Sequence, residues 1–272
     1  MTSRAVSVDL HPWNSMFEII RNWLNRRIIR RSTVTSAQWA AAFDALPLLQ
    51  GYSDAEKQSL RALAILFMHR KVFESAHGFM VTEPMILIIA LQACIPILKL
   101  GLDAYDGWVS IIIYPAGFAP VRVITDEAGV QHSVQSNLAG ESWQRGPVVL
   151  AWDETEHAGI IDGHNLVIHE FAHKLDMQDG SANGFPPLHA DMRSSAWFEI
   201  FSAGFRDFQN KCSNGQSTGI DCYAATSPAE FFAVLSEVFF ERPDVLQYHY
   251  GDIYDQLRQY YRQDPYARLS QN

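Results

Sequence analysis

Cysteine is scarce in this sequence. Cys94, Cys212 and Cys222 are the only three among 272 residues, and no two of them form a CxxC pair. An odd count without that spacing argues against a disulfide framework and against an all-cysteine zinc site. The expectation is a reducing compartment with three small apolar fillers. Long apolar runs are also missing. The most apolar stretch, PMILIIALQACIPILKLGL at 84–102, is interrupted by Gln92, Pro96 and Lys99, whereas a membrane span asks for about 20 mostly apolar residues. It reads as a buried helix, ended or kinked near Pro96. The beginning, MTSRAVSVDLHPW, holds no apolar segment of the secretory kind. A soluble cytoplasmic chain is therefore expected. Positive charge is in the minority: 21 Lys and Arg face 30 Asp and Glu, for a net charge of −9. A phosphate backbone repels such a chain, so direct nucleic-acid binding is not expected, and partners are sought among proteins, peptides and small molecules.

Hydrophobic residues make up 48% of the chain, enough for a substantial core at this length. Residues 15–31 repeat Phe17, Ile20, Trp23, Leu24 and Ile28 at helical spacing, with Arg21, Arg26, Arg27, Arg30 and Arg31 between them. A solvated helix face is preferred here to a membrane-surface or partner-docking helix. Helical patterns follow at 36–46 and 54–72. Ser53 with Lys57 makes no capping box, but Ser53-Asp54 is a plausible helix start. The character then changes. WVSIIIYP (108–115) reads as a strand, VRVIT and VQHSV flank the turn-like DEAG as a hairpin, and GPVVLAW (146–152) reads as another strand. Helix returns at 163–177, about 192–210, 228–241 and 251–263. Helices at both ends with a small sheet between them predict an α+β fold rather than a doubly wound sheet.

The chemistry is concentrated in LVIHEFAHKLDMQDG, residues 166–180. Asp162-Gly163 can start a helix and Asp179-Gly180 can stop it. On that helix His169 and His173 are four residues apart, about 40° around the axis, so both imidazoles can converge on one ion. Glu170 projects beside them, within reach of a water on that ion. This is the HExxH zinc motif. Neutral imidazoles hold zinc without cancelling its charge, zinc lowers the pKa of its water to about 7, and a nearby carboxylate can move the proton to a leaving amine. Leu166, Val167, Phe171, Ala172 and Leu175 make the rest of the helix apolar. Two histidines and a glutamate among them need partners to be tolerated. A structural zinc is disfavoured, since such sites usually close with four protein ligands, commonly including cysteine, and none lies near this motif.

A catalytic zinc needs a third protein ligand. The spacing HExxHxxGxxH is absent, with Asp176 and Asp179 at the relevant positions. Glu199, Glu230, Glu237, Glu241, His189 and His249 are the downstream candidates. Ser227-Pro228-Ala229-Glu230 also fits a capping box with proline at the first helical position, which would make Glu230 a purely structural residue. Glu237, two turns on, can be a ligand or a second carboxylate behind one. Spacing alone leaves the choice open. Asp176, one turn after His173, can accept a hydrogen bond from that imidazole or simply lie near the helix end.

HEFAHKLD followed by DCYAATSPAEFFAVLSEVFF resembles the Mlc titration factor A family, zinc metallopeptidases of the gluzincin type. GFMVTEPMILIIALQACIPILKLGLDAYDGW, IIIYPAGF and SWQRGPVVLAW extend the likeness over roughly residues 40–268. The second motif is also similar to a segment of the anthrax lethal factor catalytic domain. The resemblance implies a zincin-like core at 106–272 after a mainly helical region at 1–105, the two possibly forming one compact unit. It implies Zn2+ held by His169, His173 and Glu230, with Glu170 as general base and Tyr223 stabilising the oxyanion. It also implies an edge strand at 147–152 that pairs with an extended peptide substrate. The implied activity is peptide hydrolysis, possibly aminopeptidase-like. A second role implied by the family is that of an antirepressor binding a transcriptional repressor of the Mlc type.

Overall fold

The computed structural model describes residues 12–116, 121–125, 131–135, 140–142, 146–157 and 159–269, with side chains described outside 12–18 and 117–145. The first helices are α1 (Pro12–Arg30), α2 (Ser36–Asp44) and α3 (Asp54–Arg70). Strand β1 (Val72–Ser75) follows, then α4 (Glu83–Cys94) and β2 (Ser110–Tyr114). A hairpin, β3 (Val121–Thr125) with β4 (Gln131–Gln135), precedes β5 (Gly140–Ser142) and β6 (Val148–Ala151). The remaining helices are α5 (Trp152–His157), α6 (Leu166–Asp176), α7 (Ser194–Ser213), α8 (Pro228–Glu241), α9 (Pro243–His249), α10 (Gly251–Tyr261) and α11 (Pro265–Leu269). Among the described residues no helix is long and apolar enough to cross a membrane.

The α+β expectation holds, and the DEAG turn of the hairpin lies outside the described residues. The box at α3 forms after all, with Glu56 rather than Lys57: Ser53 Oγ accepts from the Glu56 amide, and Glu56 Oε2 accepts from the Ser53 amide at 3.0 Å. The apolar stretch from residue 84 is helical only to Cys94, before Pro96, and eight of the twelve residues of α4 are buried.

The main sheet has the order β1-β2-β6-β5. β1, β2 and β6 run parallel, and β5 pairs antiparallel with β6. Every residue of β6 is buried, as suits a strand paired on both sides. This corrects the edge-strand expectation at 147–152. That segment is internal to the sheet, and the edge beside it is the short β5. The helical pattern expected over 54–72 ends at Arg70, and Val72 opens strand β1 instead. Its four residues, VFES, have no alternation to announce them and are strand only because Ser110–Ile113 lie alongside.

One contiguous core runs from Trp39 to Tyr261. Helix α6 is set within it, against α4, α8 and strands β5 and β6. Phe171, fully buried, anchors its inner face with ring centroids 5.1 Å from Tyr105, 5.6 Å from Phe67 and 5.7 Å from Trp108. Burial of such a ring is worth about 3 kcal/mol, and edge-on aromatic packing adds up to roughly another.

Candidate metal centre

The histidine helix begins at Leu166, capped by Asn165, rather than at Gly163. Gly163 has a φ of +98°, which cannot continue a right-handed helix, so the chain turns there first. Asn165 is fully buried and all its groups are engaged. Its Oδ1 accepts from the Ile168 amide at 2.9 Å, its amide donates to Glu237 Oε2 at 2.6 Å, and its Nδ2 donates to Glu241 Oε1 and Gln92 Oε1. The Gly163 amide donates to Glu241 Oε2 at 3.1 Å. Two carboxylates of α8, one turn apart, therefore grip the amino end of α6. Acceptors at that end of a helix are electrostatically favoured. The α6–α8 packing thus sets both the start of the histidine helix and its rotation.

Val167, Ile168, Phe171, Ala172 and Leu175 are fully buried, and His169 and His173 occupy the other face. His169 Nε2 lies 3.0 Å from Glu230 Oε2, and His173 Nε2 lies 3.3 Å from the same oxygen. The two Nε2 atoms are 3.2 Å apart. One atom from each of the three residues falls within a 4.8 Å group suited to a metal ion. His169 Nδ1 is 2.7 Å from Glu237 Oε1. A carboxylate can only accept, so Nδ1 carries a hydrogen, and Nε2 is the nitrogen that would give a lone pair to a metal on losing its proton.

Of the six downstream candidates, only Glu230 reaches both histidines. Ser227 Oγ does accept from the Glu230 amide at 3.2 Å. The cap uses the backbone of Glu230, while its carboxylate is turned to the imidazoles, so the structural and the metal-facing readings use different atoms of one residue. Glu237 backs His169, and Glu241 serves Asn165 and Gly163. His189 Nε2 donates to the Tyr260 carbonyl at 2.8 Å. Glu199 and His249 line a separate groove with Gly251 and Asp252. Asp176 does not hold His173. Its two oxygens accept from the amides of Asn183, Gly184 and Phe185 at 2.7–2.9 Å, tying down the loop after α6.

Electrostatics suit a cation. Burial disfavours protonation of His169, but Glu237 and Glu230 outweigh it and hold its pKa well above the ordinary value. Burial would raise Glu230, yet hydrogen bonds to His169 and His173 outweigh that and hold its carboxyl far below the usual range. Glu170, also buried, adds a further negative charge near His169. An excess of carboxylate around converging nitrogen lone pairs is the donor chemistry a divalent metal takes. The three residues fit such an ion.

Tyr223 lies on a single 3-10 turn, Cys222–Ala225, initiated by Asp221, whose Oδ1 accepts from the Tyr223 amide. Its ring centroid is 6.1 Å from that of His169, and it is 48% exposed, so its phenol borders the cluster from the open side. The turn is joined to the end of α7 by a disulfide, Cys212–Cys222, with Cα atoms 5.8 Å apart. This overturns the expectation of three unpaired cysteines. Two pair across a short loop, and only Cys94 is a buried free thiol. The cysteine argument for a reducing compartment lapses with it. Behind α6, Lys174 Nζ donates to the Gly146 carbonyl at 2.9 Å and sits 4.9 Å from the centre of the Trp108 ring. This contact fastens the helix to the approach of β6. Sequence reasoning missed it, as it missed Asn165.

The three-donor cluster defines a protein built to hold a metal ion. The comparisons with known proteins narrow the class: the profile of the glucose-regulated metallo-peptidase M90 family matches residues 20–262. The chain is 38% identical over 239 residues to the Mlc titration factor A of Serratia proteamaculans (strain 568), covering 86% of this chain and 90% of the relative. It is 38% identical over 237 residues to the protein of the same name from Yersinia pestis (strain Pestoides F), covering 86% and 87%. A Synechocystis protein is 36% identical over 248 residues, covering 90% of each chain. The chain belongs to this metallo-peptidase family, as its two motifs led one to expect.

Proposed function

We propose that the protein is a zinc-dependent peptidase with a zincin-like core of the gluzincin type, in which His169, His173 and Glu230 hold the ion. The observation that carries this reading is the convergence of the three donor atoms within 4.8 Å. A zinc ion held by these three donors would supply Lewis acidity and would bring the pKa of a bound water down to about 7. Glu170 is the general base: it takes a proton from the attacking water and delivers it to the leaving amine. The Tyr223 hydroxyl donates to the carbonyl oxygen of the scissile bond as negative charge develops there. Glu237 keeps the His169 hydrogen on Nδ1. Peptide substrate lies extended along the side of β5 that, among the described residues, is left unpaired, the other side being taken by β6. The helical region 1–105 serves as the scaffold beneath this core, 106–272, through α4 against α6 and β1 against β2. Removal of amino-terminal residues is the cleavage mode proposed from the family resemblance.

The test is Glu170→Ala. The variant is expected to fold, to retain zinc, and to lose hydrolysis of amino-terminal reporter peptides. Undiminished turnover would sink the mechanism.

The name shared by two relatives supports a second, compatible role, in which the protein binds an Mlc-like repressor in the cytoplasm without itself contacting nucleic acid. Pull-down of a purified repressor by wild type and by Glu170→Ala separates the two roles. Equal capture means that binding does not require catalysis, and no capture by either removes the second role.

A further inference from the structure

Among the described residues, helix α1 is docked by one face only. Ile28 and Ile29 pack on the core, and Arg21 Nη1 lies 2.6 Å from Asp103 Oδ2. The opposite face is open to solvent and carries an unusual load: Ile19, Ile20, Trp23 and Leu24 are exposed, with Ile19 at 67% and Trp23 at 57%. At 100° per residue, Arg26, Arg27, Arg30 and Arg31 fall on this same face, one to two turns nearer the carboxyl end. Trp23 and these four arginines line one groove, and the Arg27 guanidinium sits 5.6 Å from the centre of the Trp23 ring. Between Ile19 and Arg31 there are five arginines and no acid, in a chain whose net charge is −9.

We propose that this face of α1 is a docking surface for an anionic lipid bilayer, on which the protein sits peripherally. Apolar and cationic groups point the same way, which suits an interface where hydrocarbon lies directly beneath phosphate. The Trp23 ring matches the boundary between them, and guanidinium groups bind phosphate bidentately. A solvated face does not explain four large apolar side chains aimed at water. One convex helix offers little of the roughly 800 Å² per partner that a protein interface takes, but it is enough for an interfacial helix. A nucleic acid would use the arginines and leave Ile19, Ile20 and Leu24 without a role. The rest of the chain carries a net negative charge that a negative surface repels, so attraction at this face also orients the protein.

The test is flotation of the full-length, zinc-loaded protein with vesicles of phosphatidylcholine alone or of phosphatidylcholine mixed with phosphatidylglycerol. Binding is expected only to the mixed vesicles and is expected to weaken in high salt. Trp23→Ser and Leu24→Ser should each lower vesicle affinity about tenfold. The pair Arg26→Gln with Arg30→Gln should lower it roughly thirtyfold. All four positions are exposed, so unchanged thermal melting and peptidase activity show that the variants remain folded. No flotation with either vesicle overturns the proposal. So does equal flotation with wild type and all variants. Retention on heparin without vesicle binding also overturns it, in favour of a soluble polyanion.

Discussion

The two ends of α8 carry the same side chain in opposite states. Glu230, in the first turn, faces two imidazoles that keep it ionised despite its burial. Glu241, at the last residue, is also buried, but its partners are the neutral Asn165 side chain and the Gly163 amide, and burial pushes its pKa up to about 8. Asp162 and Glu237 nearby push it the same way. Between them, Glu237 links the two settings, with one oxygen on His169 and the other on the Asn165 amide. All three lose hydration, Glu230 in part and the other two almost wholly. The difference lies in whether cationic donors are there to offset the lost hydration. One helix thereby supplies a metal-facing carboxylate and, three turns on, a structural carboxyl whose charge burial opposes.

The sharpest way to break this comparison is Glu230→Gln. Glutamine keeps the backbone cap to Ser227 but is a poor metal donor. Zinc per chain, measured by elemental mass spectrometry, should fall from one to nearly none. The loss of affinity should exceed the roughly 10–100-fold that outer partners of a metal site contribute. Full zinc occupancy in this variant would move the third donor elsewhere. Glu237→Gln should fall within that 10–100-fold range, because the imidazole loses its orienting carboxylate while all three donors remain. Competition with a chromogenic chelator measures both.

Glu241→Gln should leave zinc untouched and change the pH dependence of stability instead. The folded pKa near 8 lies above the ordinary 4.5. Stability from this group is therefore fully present below about pH 4.5 and is lost as pH rises toward 8. Between pH 5 and pH 7 the wild type should lose about 3 kcal/mol that the variant does not. Denaturant titrations of the zinc-loaded proteins at several pH values give the slope. Parallel curves for the two proteins would mean that Glu241 is ionised throughout. Asp176 extends the series to α6. It is fully buried, and burial raises its pKa even though three amide donors work against the rise. Asp176→Ala strands those amides and should cost about 1–3 kcal/mol of unfolding free energy, with zinc content unchanged. A loss of zinc equal to that in Glu237→Gln would instead assign Asp176 to the His173 imidazole.

The parts of the site that lie on one helix were readable before any fold was known. His169, Glu170 and His173 are linked by helical geometry alone, and the apolar residues between them announce which face is buried. Glu230 was readable only halfway. Its place after Ser227 and Pro228 predicts a cap, and nothing local says that the carboxylate is left over for another task. The edge strand that the resemblance implies falls on the wrong segment, and the apolar pattern of 147–152 could not correct it, because it signals burial without saying which neighbours cause it. The sequence reading missed β1 because four residues without alternation become a strand only when β2 lies alongside. It missed the disulfide because an odd count was taken as unpaired, when Cys94 is simply the one left in the core.

The sequence by itself determined the helix that carries two imidazoles and a carboxylate, the α+β character and the family. Each of these depends on periodicity or on motifs written along the chain. The family resemblance implied Glu230, which spacing left open; the tertiary structure set its carboxylate against both histidines, chose the carboxylate that faces His169 Nδ1, and placed Tyr223 beside that ring. It also decided that one face of α1 is left bare. Those outcomes depend on contacts between segments tens of residues apart, and a carboxylate has no preference among them until packing fixes its distance to a donor.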